Sequence, residues 1–237
     1  MNQVDQVYVI NLDKRKDRMK KTKDQLRAQR IKFKRISAVD GETLEHPTKT
    51  RAVYKDKYWN KYALGLVKTM KILIEDAIKN NYNNIVVFED DNQYDYRFTK
   101  TFNKYVNSLP KNWELIKLSV GIFGEVGYVK DNFFQIARST GTFAMLINKS
   151  GFKKILNEVE KEDAPLDIMM NYAFPKHHCF YPGLVIPMDT FSNITNEYAV
   201  YSSQIKYKRN EYMEYLINQN KPPGSNLTSN MLNFNKQ

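Results

Sequence analysis

The chain has 237 residues, 42% hydrophobic and 13% aromatic, which suits one α/β domain with a sizeable core and excludes a disordered chain. A net charge of +11 favours anionic partners such as nucleotides, nucleic acid or acidic glycans. The single cysteine, Cys179, excludes an internal disulfide, and no apolar run reaches the roughly 20 residues that span a bilayer.

In chain order, Val7-Tyr8-Val9-Ile10 reads as a first strand, followed by Asn11-Leu12-Asp13. Asp13 is placed to cap a helix from Lys14, with Met19, Leu26 and Ile31 as a thin apolar stripe on a lysine-rich surface. Phe33 to Ile36 reads as a second strand with Ala38-Val39-Asp40-Gly41 as its exit turn, and Glu42 to Trp59 as a loop. Leu66, Met70, Leu73, Ala77 and Ile78 recur with helical spacing over Tyr62 to Lys79. Ile85 to Phe88 is an apolar, β-branched strand that runs straight into Glu89-Asp90-Asp91. Helix, short turn, strand is the order of a mainly parallel sheet. Further on come a helix over Phe98 to Leu109, a strand over Trp113 to Leu118, and a loop or hairpin punctuated by Gly121, Gly124 and Gly127. A strand over Gly141 to Ile147, a helix capped by Ser150, a helix opened by Asp167 and a last strand over Phe180 to Ile186 complete the pattern. The expected organisation is one domain over 1–217 and a polar, mobile tail over 218–237.

The acidic cluster is the most informative feature. Adjacent carboxylates repel, so a cluster at a strand end needs a cation, a basic neighbour or open water. Such an edge is also where ligands bind in open α/β sheets. The paired His177 and His178 point opposite ways on a strand, so they are read as structural rather than as ligands of one ion. With no recognisable nucleic-acid motif, the positive charge alone predicts no specific nucleic-acid partner.

Three segments then stand in order: Val7 to Leu12 with Arg15 and Arg18, Ile36 to Gly41, and Phe88 to Asp91. Together with Gly141-Thr142, Pro165-Leu166-Asp167 and Phe191 to Ile194, they resemble glycosyltransferase family 25, which includes lipooligosaccharide and procollagen galactosyltransferases. The resemblance implies a GT-A-type α/β fold, a mostly parallel central sheet flanked by helices. It also implies transfer of a hexose, galactose or glucose, from a UDP-sugar to a hydroxyl of a saccharide or collagen-like hydroxylysine. Inversion at the anomeric carbon and a bound Mn²⁺ or Mg²⁺ belong to the same expectation.

On this reading Asp91 and Glu89 hold the metal, since hard cations take oxygen ligands. Glu89 or Asp90 reaches the ribose or a metal-bound water. Asn11, Leu12, Arg15 and Arg18 lie beside the nucleotide, where a guanidinium can pair with phosphate. Asp40 lies near the nucleoside, Gly141 and Thr142 admit the sugar close to the backbone, and Asp167 is the base for the acceptor hydroxyl. The alternative is a degenerate member that binds nucleotide, glycan or partner without turnover. Two departures motivate it: Lys68-Thr69 stands where many members have Ser-His, and Asn193 where many have Asp in Ser-Asp-Ile. Asn193 can keep a metal or diphosphate contact through its amide oxygen. The polar start Met1 to Gln6 and the single cysteine predict a soluble, cytoplasmic protein, compatible with a viral or bacterial origin.

Overall fold

A computed structural model describes residues 1–51, 58–192, 194–200 and 211–220. Its strands are β1 (Gln6–Asn11), β2 (Lys34–Ser37), β3 (Asn84–Glu89), β4 (Asn92–Tyr94), β5 (Leu115–Lys130), β6 (Phe133–Asn148), β7 (His177–Phe180), β8 (Val185–Pro187), β9 (Thr190–Ser192) and β10 (Glu197–Ala199). Its helices are α1 (Lys16–Ala28), α2 (Lys61–Lys79), α3 (Phe98–Val106), α4 (Lys149–Val159), α5 (Leu166–Ala173) and α6 (Glu211–Gln219), with a 3₁₀ turn at Gly41–Thr43.

The central sheet has the order β2-β1-β3-β6-β5-β7 and separates two apolar cores. Alternation along each strand explains why there are two. Tyr8, Ile10, Ile85 and Val87 face α2, α4 and α5, while Val7, Val9, Val86 and Phe88 face α1 and α3. Each buried aliphatic or aromatic side chain contributes about 1.5–3 kcal/mol relative to exposure. Phe88 meets Tyr94 and Phe98 edge to face at 5.0 and 5.8 Å, so the strand that ends in the acidic cluster is firmly seated.

The sheet is mixed, and the expectation of a mostly parallel sheet holds only for its first half. β2, β1 and β3 run parallel, but β6 inserts antiparallel between β3 and β5, and β7 pairs parallel with β5. The cause is the β5–β6 connection. Of the two readings, loop or hairpin, the hairpin holds: Gly121, Gly124 and Gly127 belong to β5 and sit at or beside its register shifts against β6. The chain turns only at Asp131-Asn132, which makes a long hairpin and hence an antiparallel pair.

Several local expectations also shift. Arg15, not Asp13, precedes α1 as its cap residue, without a capping side chain; Asp13 instead binds Arg35 and the Ser37 hydroxyl. Asn148, not Ser150, caps α4, accepting from the Ser150 N–H at 3.0 Å. The last strand divides into β7 and β8, and β8 pairs with β4, a strand too short to be read from three residues. Most of the expected tail, 221–237, lies outside the described residues. Among the described residues no helix is long and apolar enough to cross a membrane.

Candidate active site

The parallel strands β1, β2 and β3 end on the same edge, and that edge opens onto a cavity of about 750 Å³. β6 runs the other way, so Gly141 and Thr142 arrive opposite the end of β3. The first turn of α5 adds Leu166 and Asp167, and the β9–β10 hairpin closes a further side through Thr190, Ser192 and Tyr198.

Glu89, Asp90 and Asp91 form one wall. Asp90 accepts from the Asn11 amide at 2.6 Å and from Arg18 at 3.1 Å. The same Arg18 nitrogen reaches Asp91 at 3.2 Å. Its second nitrogen donates to the Thr190 hydroxyl at 2.9 Å and the Phe191 carbonyl at 2.7 Å. One guanidinium therefore ties α1 to the acidic cluster and to the hairpin. Glu89 accepts from the Thr142 hydroxyl at 2.6 Å. Asn92 braces the turn behind, donating to the carbonyls of Glu89 and Phe143 at 2.9 and 2.7 Å.

This wall is short of positive charge. Burial, then the negative charge of Asp91, raises the Glu89 carboxyl above the usual carboxylate range. Burial and Asp90 also raise Asp91, although Arg18 opposes them. Asp91 Oδ1 is buried without a hydrogen-bond partner. Among the described residues no three His, Cys, Asp or Glu side chains converge as a complete metal cage. The unpartnered Asp91 oxygen and the Glu89 carboxyl are the hard oxygen donors that would fit a divalent cation here.

The other wall is held differently. Gly141 adopts a left-handed backbone (φ +80°), and a Cβ there would lie 2.3 Å from the Phe143 ring. Its N–H donates to Asp167 Oδ2 at 3.1 Å, and its carbonyl accepts from Lys117 Nζ at 2.8 Å. Asp167 Oδ1 accepts from the Ile168 N–H at 2.9 Å.

Of the residues singled out from sequence, Asn11, Leu12, Arg18, Glu89, Asp90, Asp91, Gly141, Thr142 and Asp167 line the one cavity. Arg15 and Asp40 do not. Arg15 turns its guanidinium to Asp17 at 3.1 Å. Asp40 takes Lys14 at 2.8 Å and caps the 3₁₀ turn through the Glu42 N–H, while its neighbours Val39 and Gly41 face the cavity. Lys14 holds the Asp40 carboxyl below its ordinary range. Asn193 lies outside the described residues. At the other departure, Lys68 pairs with Glu162 at 2.6 Å, and the buried Thr69 hydroxyl accepts from the Val39 N–H at 2.9 Å. Thr69 so anchors the Val39–Gly41 edge of the cavity. The buried His177 has its ring nitrogens 2.8 Å from the Ser139 hydroxyl and 3.0 Å from the Phe174 carbonyl, and His178 stacks on Phe133, so both are structural.

Lys117 was missed from sequence. It is fully buried on β5 between Met145 and Cys179. The available signal was a charge inside the apolar run Leu115-Ile116-Lys117-Leu118. Tyr58, Tyr62 and Tyr198 of the cavity lining carried no motif.

The sequence model of glycosyltransferase family 25 (LPS biosynthesis protein) matches residues 4–170. The chain belongs to glycosyltransferase family 25. Membership covers β1 through most of α5, and so both cavity walls. Human procollagen galactosyltransferase 2 is 27% identical over 126 residues, covering 47% of this chain and 20% of that protein. Procollagen galactosyltransferase 1-A of Xenopus laevis is 27% identical over 192 residues, covering 73% of this chain. The chain spans only 31% of the length of that relative. Among solved structures, a glycosyltransferase involved in the glycosylation of the major capsid of PBCV-1 aligns with a TM-score of 0.41 at 10% identity, over 65% of this chain and 64% of that one.

Proposed function

We propose that this glycosyltransferase moves a hexose, galactose or glucose, from a UDP-sugar to a hydroxyl acceptor, with inversion and with Mn²⁺ or Mg²⁺ at the acidic wall. The observation that carries the reading is one cavity joining the ends of β1 and β3, with the carboxylates that follow β3 and the Arg18 guanidinium of α1, to the Gly141–Asp167 wall. Its volume suits a small nucleotide ligand.

Asp91, with its open Oδ1, and Glu89 are the residues that would hold the cation. A bound divalent ion supplies Lewis-acid stabilisation of charge on the diphosphate. Asn11 and Arg18 hold Asp90, so the cluster keeps its shape before any ligand arrives. Arg18 is the proposed partner of a phosphate oxygen, for which it would exchange part of its present bonding. Asp167 stands across the cavity as the base. The acceptor oxygen attacks C1 of the hexose, the C1–O bond to UDP breaks with its electron pair leaving on the diphosphate, and the hydroxyl proton passes to Asp167. The procollagen galactosyltransferases among the relatives make a hydroxylysine-bearing, collagen-like polypeptide one acceptor to test, and a saccharide the other.

Incubation with UDP-galactose or UDP-glucose, Mn²⁺ and each acceptor class tests this directly. Metal-dependent UDP release supports the reading, and neither UDP formation nor UDP binding with any common donor overturns it. One observation favours a second reading, binding without turnover: both Asp167 oxygens already accept backbone N–H bonds. Saturable UDP binding with no transfer to water or acceptor distinguishes it.

A further inference from the structure

Lys117 has no place in the scheme above, yet its ammonium is fully buried. An ammonium removed from water needs both charge compensation and hydrogen bonds. Lys117 is 0% exposed. Its hydrogen bond goes to the Gly141 carbonyl at 2.8 Å. The charged and titratable groups that act on it come from three packed elements: Asp167 on α5, Glu89 on β3 and His177 on β7. The first two are carboxyls of the opposing cavity walls.

Three titratable side chains thus converge on two consecutive residues. Asp167 takes the N–H of Gly141, Lys117 takes its carbonyl, and Glu89 takes the Thr142 hydroxyl. Gly141 has a left-handed backbone, which glycine reaches without a steric penalty, so hydrogen bonds rather than sterics hold it in one form. Lys117 does not itself line the cavity.

We propose that Lys117 is a positioning residue for the transfer: its buried ammonium pins the Gly141 carbonyl and, enclosed with Asp167 and Glu89, fixes the Gly141–Thr142 wall in the form that presents Asp167 to the acceptor. This inference rests on the transferase reading. Burial draws Lys117 down to about 8 against the pull of Asp167 and Glu89, so its charge is lost under mildly alkaline conditions. Loss of that charge loosens the wall, which lowers kcat more than it raises KM for the donor.

The test joins kinetics to nuclear magnetic resonance. In the wild type, kcat falls by at least about tenfold along an alkaline limb, and the backbone amides of Gly141 and Thr142 shift with the same midpoint as the Lys117 side-chain nitrogen. In Lys117→Met, a neutral side chain of similar length, kcat is down by about 10–100-fold at neutral pH, the alkaline limb disappears and donor KM changes little. A folded Lys117→Met protein with wild-type kcat and an unchanged limb overturns the proposal. Should that variant fail to fold, the wild-type resonances decide: amides that follow the Lys117 titration support it, and amides that do not overturn it. A wild type that makes no UDP from any hexose donor removes the transferase reading and this inference with it. An active wild type with an unaffected variant removes the inference alone.

Discussion

On the β3 wall of the cavity, among the described residues, Asp90 and Asp91 share one guanidinium, Glu89 has only the Thr142 hydroxyl, and Asp91 keeps a buried oxygen with no hydrogen-bond partner. On the β6 wall, Asp167 is met by two backbone N–H groups, and Gly141 is gripped at both its N–H and its carbonyl. The first wall is electrostatically incomplete and the second is internally satisfied. The difference teaches where each wall gets its charge balance. On the proposed function the acidic wall keeps its shape through Asn11 and Arg18 but would take its missing positive charge from a bound cation, whereas the Gly141 wall is balanced by the fold alone.

The sharpest way to break this comparison is to remove the incomplete wall's open ligand. Asp91→Ala should lower metal-dependent UDP release by about 10³-fold, the scale of several kcal/mol of charge stabilisation. Steady-state UDP release with varied Mn²⁺ checks it; unchanged metal dependence would reassign the ligand. On the satisfied wall, Asp167→Asn keeps size and one of the two accepted N–H bonds but removes the base. It should reduce kcat about 10²-fold while UDP binding, followed by calorimetry, stays as in the wild type. A loss of UDP binding instead would move Asp167 from the acceptor side to the nucleotide.

Gly141→Ala asks how rigid the second wall is. The φ of +80° and the Phe143 ring 2.3 Å from the new Cβ predict a loss of about 2–3 kcal/mol in denaturant unfolding. A smaller loss would mean that the ring moves aside easily. The smallest effect lies behind that wall. Burial draws His177 down from 6.5 to about 4. The unfolded chain therefore takes up a proton before the folded one does. The stability present above 6.5 is lost as pH falls toward 4, reaching about 1–2 kcal/mol by about pH 5. Urea midpoints across that range should fall in the wild type and fall less steeply in His177→Gln.

The contrast between the walls also explains what could be read from sequence. The acidic wall is local: one strand running into Glu89-Asp90-Asp91 announces both its structure and its charge. β1 with Asn11, and α2 with its helical spacing, were legible for the same reason. The Gly141 wall is not local. It depends on a β5–β6 hairpin whose glycines imitate a loop, and on an antiparallel register that no short window contains. Lys117 was hidden because its partners lie on β6, β3 and α5, far away in the chain. Arg18 was legible as a cation beside the end of β1, but its link to Thr190 and Phe191 spans more than 170 residues.

The central claim is that the acidic wall is completed by a divalent cation together with a nucleoside diphosphate. Calorimetric titration of the wild-type protein with UDP, with and without Mn²⁺, tests it most directly. The account predicts UDP binding at least about tenfold tighter with the cation, a difference of about 1.4 kcal/mol. Equal affinity in both conditions, or no UDP binding in either, would contradict it.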